Sequence, residues 1–365
     1  MLKIHILNVG QGSSIVLERI SSDVRHYGVI DCNRSSNQPN KLLDKLQEIG
    51  AYHLSFVALT HPHKDHYSGL FDIITRYKAR IDEFYTCPFG DLIINKERFK
   101  KYASHLAALA RSAGLPTQRQ AARELVQILA WADSSGVDWT ECAGDENAIA
   151  PIGFQDVVIH TLTPAKISKG KYVERIDSGD PWMYGAIDDN DISLSFRINY
   201  QDRVVLLAGD ASKSAWDLRA RYEAKSGRAI GSQAANLPHH GSHRDCPPAV
   251  LTRLYGSQDD RYGITSAGGL THPSIETIIW MKENNIDPYC TNLIAECGAN
   301  VQKVYTLSGL DKEFARNLRE AAKNTGIQQV CQGNVTITID DGNLSVTPEH
   351  NNFCPFRKNA TGLFS

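Results

Sequence analysis

The chain has 365 residues, a formal net charge of −2, 42% hydrophobic and 22% charged residues, the balance of an ordinary globular enzyme with room for one large domain or two modest ones. Near-neutrality excludes a global electrostatic pull toward nucleic acid or anionic lipid, although a local basic patch suffices for a nucleic-acid substrate. No apolar window is long enough for a membrane span, so no membrane association and a cytoplasmic location are expected.

Residues 2–19 read as two strands joined by Gly10-Gln11-Gly12-Ser13-Ser14. The strand begins at the second residue, which argues against a signal peptide. The glycine loop lacks the Lys-Ser/Thr of a phosphate-binding loop and no helix follows it, so its small residues are expected to let a turn pass close to another loop. Tyr27 to Cys32 is a third strand carrying Asp31, either a turn residue or an acceptor behind a metal-binding imidazole. Leu42, Leu43, Leu46 and Ile49 have helical spacing over residues 40–50, and Gly50 closes that helix. Leu54 to Leu59 is an apolar run that reads as a buried strand.

The stretch that follows, Thr60-His61-Pro62-His63-Lys64-Asp65-His66, packs three imidazoles and a carboxylate into one short loop. His61 and His63, two apart, can reach one point, while Asp65 and His66 can face a second point nearby. That is ligand spacing for two adjacent divalent cations, which lower the pKa of a water held between them. A polar loop capping a helix through Asp65 would need only one of these groups.

Further on, residues 82–94 read as two short strands. Residues 96–113 and 117–133 read as a helical hairpin, an insert spanning about 95–135, broken at Gly114-Leu115-Pro116. It carries Lys96, Arg98, Lys100, Lys101, Arg111, Arg119 and Arg123, either a solvated face or a basic lid over an anionic substrate. Phe154 to Leu162 is a strand. Residues 165–189 show no periodicity and read as a long loop in which Arg175, Trp182 and Tyr184 could contact substrate. A hairpin over 192–208 ends in Gly209-Asp210, again a carboxylate after a buried strand, and a helix follows over 214–225. Pro238-His239-His240-Gly241-Ser242-His243 is a second histidine concentration. A strand at 262–266, His272-Pro273 opening a helix to Glu283, a strand at 289–291, a helix near 311–324, a hairpin at 335–347 and a loose tail over 351–365 complete the chain. The eight Cys stand singly with no CxxC pair, which favours reduced buried thiols over a zinc ribbon or redox motif.

With His61-x-His63-x-Asp65-His66, then Gly209-Asp210, then His239-His240-Gly241-Ser242, the chain resembles the metallo-β-lactamase superfamily. Asn8-Val9-Gly10-Gln11-Gly12-Ser13-Ser14, Asn190-Asp191-Ile192-Ser193-Leu194, Pro238-His239-His240-Gly241-Ser242 and His272-Pro273 look like the hydrolase domain of ComEC-type DNA-uptake proteins, without the membrane channel. The resemblance implies an α/β (α+β) fold, a four-layer αββα sandwich over residues 1–350, with pseudo-symmetric halves at 2–160 and 190–345. It implies that His61 and His63 hold the first metal, Asp65 and His66 the second, and that Asp210 bridges them. One of His239 and His240 completes the second site. His239 is preferred because it follows the strand directly, His240 then faces substrate, and the reverse order stays open. The superfamily's further first-site His has no obvious counterpart, since only His105 and His160 lie between His66 and Asp210. Water or the run Asp188-Asp189-Asn190-Asp191 then completes that site, and the lower nitrogen content admits Mn2+ beside Zn2+.

The expected activity is metal-dependent hydrolysis of a phosphodiester in nucleic acid or a nucleotide. Asp65 orients the attacking water, and His240 or His272 serves the leaving group, although His-Pro is also an ordinary helix start. Hydrolysis of an ester, lactone or amide by the same site is the alternative, and a non-catalytic metal-stabilised binding module is a third reading.

Overall fold

The computed structural model describes residues 1–87, 116–144, 148–178, 187–268, 272–292 and 331–351 apart from 23, 35–37, 228 and 258–259, together with 89, 354, 356 and 357. The expected first hairpin arm at 96–113 and the helix near 311–324 lie outside these residues.

Among the described residues the strands form two sheets. β1 (Leu2–Ile6), β2 (Ser14–Ser21), β3 (Val24–Cys32), β4 (Leu54–Leu59), β5 (Ile81–Thr86) and β6 (Asp138–Glu141) build the first. β7 (Ala148–Ile149), β8 (Val158–Thr163), β9 (Ser195–Tyr200), β10 (Arg203–Leu207), β11 (Ala234–Asn236), β12 (Arg261–Thr265) and β13 (Ile286–Cys290) build the second. β14 (Val335–Asp340) and β15 (Asn343–Pro348) then return to the first, whose order is β15-β14-β1-β2-β3-β4-β5-β6, while the second runs β13-β12-β11-β10-β9-β8-β7. The expected halves are therefore corrected: the crossover falls before Ala148, and the final hairpin pairs β14 with β1 (Leu2 opposite Ile339), covering an edge that would otherwise expose unpaired backbone.

Alternation along the strands sets the layers. In β10, Val205 and Leu207 join the core between the sheets with Ile198 and Ile4. Leu206, like Ala208 and Ala235, faces the other way into a second core under Trp216, Leu251, Leu254 and Met281. Those residues come from the helices Lys213–Ser226, Pro248–Leu254 and Ile275–Glu283. The first sheet is covered by Lys41–Glu48, Leu70–Tyr77 and Pro116–Ser135, which contribute Leu42, Leu46, Ile73, Ile74, Leu125, Ile128 and Leu129. β4 is buried at every residue, as a strand between two covered faces should be. The result is the αββα sandwich that the motifs imply.

One expectation changes. Residues 165–189 are not a bare loop: Lys166–Ser178 is a helix. Its buried positions include Ser168 and Tyr172, one turn apart, while Ile167 is exposed, so the apolar period that announces a helix is absent. The arm Pro116–Ser135 is a helix as expected, with Leu125, Ile128, Leu129 and Ala132 buried in the core and Trp131 meeting Phe84 edge-on at 5.6 Å. In the tail, Phe356 packs on the second core and Arg357 lies 4.2 Å from the Tyr289 ring centroid. Among the described residues no helix is long and apolar enough to cross a membrane.

Candidate metal centre

β3 and β4 are parallel, as are β10, β11 and β12, so their carboxyl ends point the same way within each sheet. The two sets of ends meet at one edge of the sandwich, where Leu194 N–H donates to Thr60 O (3.0 Å) and His239 N–H to Gly209 O (3.0 Å). Asp31 ends β3, the histidine loop follows β4, Asp210 follows β10 and His239-His240 follows β11. The glycine loop passes directly beneath: Ser13 N–H donates to Asp65 O at 3.0 Å, and a Cβ on Gly12 (φ +120°) would lie 2.3 Å from that oxygen. Only glycine fits there, so the small residues do allow the expected close passage. Asp65 does not cap the short helix Lys64–Tyr67; its N-cap is His63, and Asp65 sits in the first turn with its carboxylate turned to the site.

The centre is Asp210, 2% exposed. His66 Nε2 lies 3.2 Å from its Oδ1. Nε2 atoms of His240, His239 and His61 lie 3.4, 3.8 and 3.9 Å from its Oδ2. His240 Nε2 is also 3.5 Å from Asp65 Oδ2. Asp65, His66, Asp210 and His240 each present a donor atom within 4.8 Å of the others, and His61, His63 and Asp210 do the same. Asp210 belongs to both groups. His239 belongs to neither; its Nδ1 is 2.6 Å from Asp245 Oδ2, and its ring stands 5.3 Å from that of His272. His160 is mid-strand in β8, away from both groups, and His105 lies outside the described residues.

The ring orientations follow from a buried relay. Asp31, fully buried, accepts from Thr60 N–H (2.8 Å), from the Thr60 hydroxyl (2.7 Å) and from His66 Nδ1 (2.7 Å). Because the Thr60 proton is committed to Asp31, its oxygen can only accept from His61 Nδ1 at 3.1 Å. Ser193 Oγ stands 3.4 Å from that same nitrogen and accepts from Asp210 N–H at 3.0 Å. Both rings therefore turn Nε2 to the centre, the nitrogen a metal would take once any proton there is displaced. Nε2 of His61, His66 and His240 are buried with no hydrogen-bond partner, as is Nδ1 of His272. Buried polar atoms are normally paired, so this convergence of orphans fits a cation. Two donors on one tetrahedral ion with bonds of roughly 2.1 Å sit about 3.4 Å apart, close to the spacings found.

The backbone is strained to achieve this. His239 (φ 44°) and His240 (φ 55°) both lie in the left-handed region, as does Asp31 (φ 58°). Each costs about 1–2 kcal/mol outside glycine, an expense that clusters at functional sites.

Electrostatics point the same way. Burial, then the neighbouring His66 and His63, holds His61 well below the usual imidazole range. Burial opposes charge on His66, yet Asp210 and Asp31 raise it well above that range, and against the same opposition Asp210 and Asp65 push His240 up to about 9. Burial disfavours charge on Asp65 and Asp210 too, but the imidazoles beside them hold both carboxyls low. Protons thus occupy positions where cations fit. A cation must displace the protons on His66 and His240, so apparent metal affinity is expected to rise with pH through about 9, near tenfold per unit for each proton released. Calorimetric titration at several pH values reads that slope; a flat profile from pH 6 to about 9 contradicts it.

Sequence reasoning did not single out Thr60, Ser193 or Asp245. A hydroxyl just before the first His is a usable signal for the relay. Asp245 reaches His239 only because the chain turns back at Gly241.

No family model and no curated protein matches the chain. Among solved structures it is similar to the metallo-β-lactamase fold protein YhfI from Bacillus subtilis (12% identity, 80% of this chain and 95% of that one, TM-score 0.40). It is similar to a metal-dependent hydrolase of the β-lactamase superfamily (9% identity, 80% and 98%, TM-score 0.42). The chain spans about half the length of the CmlA β-hydroxylase, which it matches at 12% identity over 80% of its own residues and 52% of that chain's (TM-score 0.38). Likenesses this distant carry nothing about chemistry, which rests on the residues above.

Proposed function

We propose that this chain is a metal-dependent hydrolase of the metallo-β-lactamase type that cleaves phosphodiester bonds in nucleic acid or nucleotides. The observation that supports it most is the Asp210 carboxylate, shared by two donor groups whose buried imidazole nitrogens lack any other partner. His61, His63 and Asp210 would hold the first cation, and Asp65, His66, Asp210 and His240 the second. Two such cations lower the pKa of a captured water and offset charge on the attacking and leaving oxygens. Carboxylate oxygens make up enough of the donor set to suit Mn2+ as well as Zn2+.

The geometry favours a division of labour between the paired histidines opposite to the one preferred from sequence. His240, 4% exposed in its side chain and wedged between Asp65 and Asp210, suits the ligand role. His239, 24% exposed and fixed through Nδ1 by Asp245, suits holding a proton at Nε2 for the leaving oxygen. His272, with its ring 5.3 Å from that of His239 and its Nδ1 unpaired, is placed to contact the same substrate group. The phosphodiester preference draws on the ComEC-like motifs around Asn8 to Ser14 and Asn190 to Leu194, and the first of these lies against the Asp65 loop.

The test is cleavage of bis-nitrophenyl phosphate, single- and double-stranded DNA, RNA and cyclic dinucleotides with added Zn2+ or Mn2+, alongside metal analysis. An Asp65→Ala, His66→Ala double variant is the control. Metal-dependent cleavage lost in the control is the expected result. Bound metal without phosphodiester cleavage sinks the substrate class and points to an ester, lactone or amide. Unchanged cleavage in the control sinks the site.

A further inference from the structure

The first donor group is the poorer one, with His61, His63 and a shared Asp210. One more side chain stands beside it, next to His63 and outside the set of donors that lie within 4.8 Å of one another. Asp189 Oδ2 lies 3.7 Å from His63 Nε2. That is too long for a hydrogen bond, whose donor–acceptor distance runs to about 3.2 Å. It is close to the separation of two donors on one cation, and matches the 3.9 Å between His61 Nε2 and Asp210 Oδ2 within the same group.

The carboxylate is held as a ligand should be. Its other oxygen, Oδ1, accepts from the Tyr172 hydroxyl at 3.0 Å and from Arg175 Nη2 at 3.0 Å, which leaves Oδ2 turned to His63. Tyr172 and Arg175 sit three apart on the helix Lys166–Ser178, so one face of that helix fixes the carboxylate. The turn carrying Asp189 is itself rigid. Asp188 caps it, with the reciprocal Asp191 bond to the Asp188 amide at 2.9 Å, and Asn190 O accepts from Ser212 N–H at 3.3 Å. Independently, Asn190, the next residue, is 7% exposed and its amide oxygen is buried with no hydrogen-bond partner.

We infer that Asp189 is a ligand of the first cation, clamped by Tyr172 and Arg175. The inference rests on the dinuclear reading above. It also gives the helix Lys166–Ser178 a role: it sets first-site affinity from outside the metal shell.

The test is equilibrium dialysis of the full chain against Zn2+ followed by elemental analysis, with circular dichroism to confirm folding. Two ions per chain are expected in the unaltered protein, and one in Asp189→Ala, in the isosteric Asp189→Asn and in the reference His63→Ala. Tyr172→Phe and Arg175→Lys are expected to weaken the first ion by roughly 10-fold or more while leaving two at saturating metal. Asp188→Asn, which alters the exposed cap and not the ligand, should keep two. If Asp189→Ala unfolds, Asp189→Asn decides. Two ions bound with unaltered affinity in the folded Asp189 variants overturn the assignment alone. Equal loss in Asp188→Asn overturns it in favour of a merely structural turn. An unaltered chain that takes up no metal overturns the dinuclear reading, and this inference with it.

Discussion

Asp210→Ala is expected to remove metal from both sites and to lower hydrolysis by at least about 10³-fold, equivalent to roughly 4 kcal/mol of transition-state stabilisation. No other carboxylate among the described residues is shared by both donor groups, and four imidazole nitrogens lie 3.2–3.9 Å from it. Without it, His61 and His66 retain their orientation, since Thr60 and Asp31 hold them from behind. What is lost is the negative charge that draws two cations together. Asp210→Asn keeps the shape and one carbonyl oxygen but not the charge, so its metal content should fall nearly as far. Elemental analysis and turnover of bis-nitrophenyl phosphate read both effects. A variant that keeps two ions and an unaltered rate would show that Asp210 is not the bridge.

The second large effect is on stability as well as on metal. Asp31 touches no substrate in this arrangement, yet its carboxylate is fully buried and accepts three hydrogen bonds, two from Thr60 and one from His66. Asp31→Ala strands those donors and should cost about 3–5 kcal/mol, the scale for breaking a buried pair from one side. The left-handed φ of 58° adds strain for alanine that asparagine tolerates better, which makes Asp31→Asn the gentler variant. Metal affinity should fall by about 10–100-fold in both, because the His66 tautomer is no longer imposed. Urea unfolding of the metal-free protein separates the two contributions, since it reports the relay without the ion. An unchanged unfolding midpoint together with unchanged metal affinity would remove Asp31 from the account.

Much of this was legible in one dimension because it is local. The apolar run Leu54 to Leu59 announces a buried strand by hydrophobicity alone, and the His61 to His66 cluster follows it within one loop. Side chains a few residues apart can reach one point whatever the rest of the chain does. The same locality made Gly209-Asp210 and His239-His240 visible, each directly after a strand. The helix Lys166–Ser178 was hidden for the opposite reason: its buried face carries Ser168 and Tyr172 rather than an apolar stripe.

Tertiary structure decided everything that depends on which strand ends meet. The pairing of Asp31 with His66 joins residues 35 apart through the parallel contact of β3 and β4. Asp210 stands among imidazoles from both sheets only because the sheets face one another with their carboxyl ends at one edge. The division between His239 and His240 is finer still: two consecutive left-handed residues send one ring between Asp65 and Asp210 and the other to Asp245. A sequence states which side chains can bind or carry a proton. Their partners are set by backbone dihedrals and by long-range strand pairing, and neither leaves a mark at the positions it brings together.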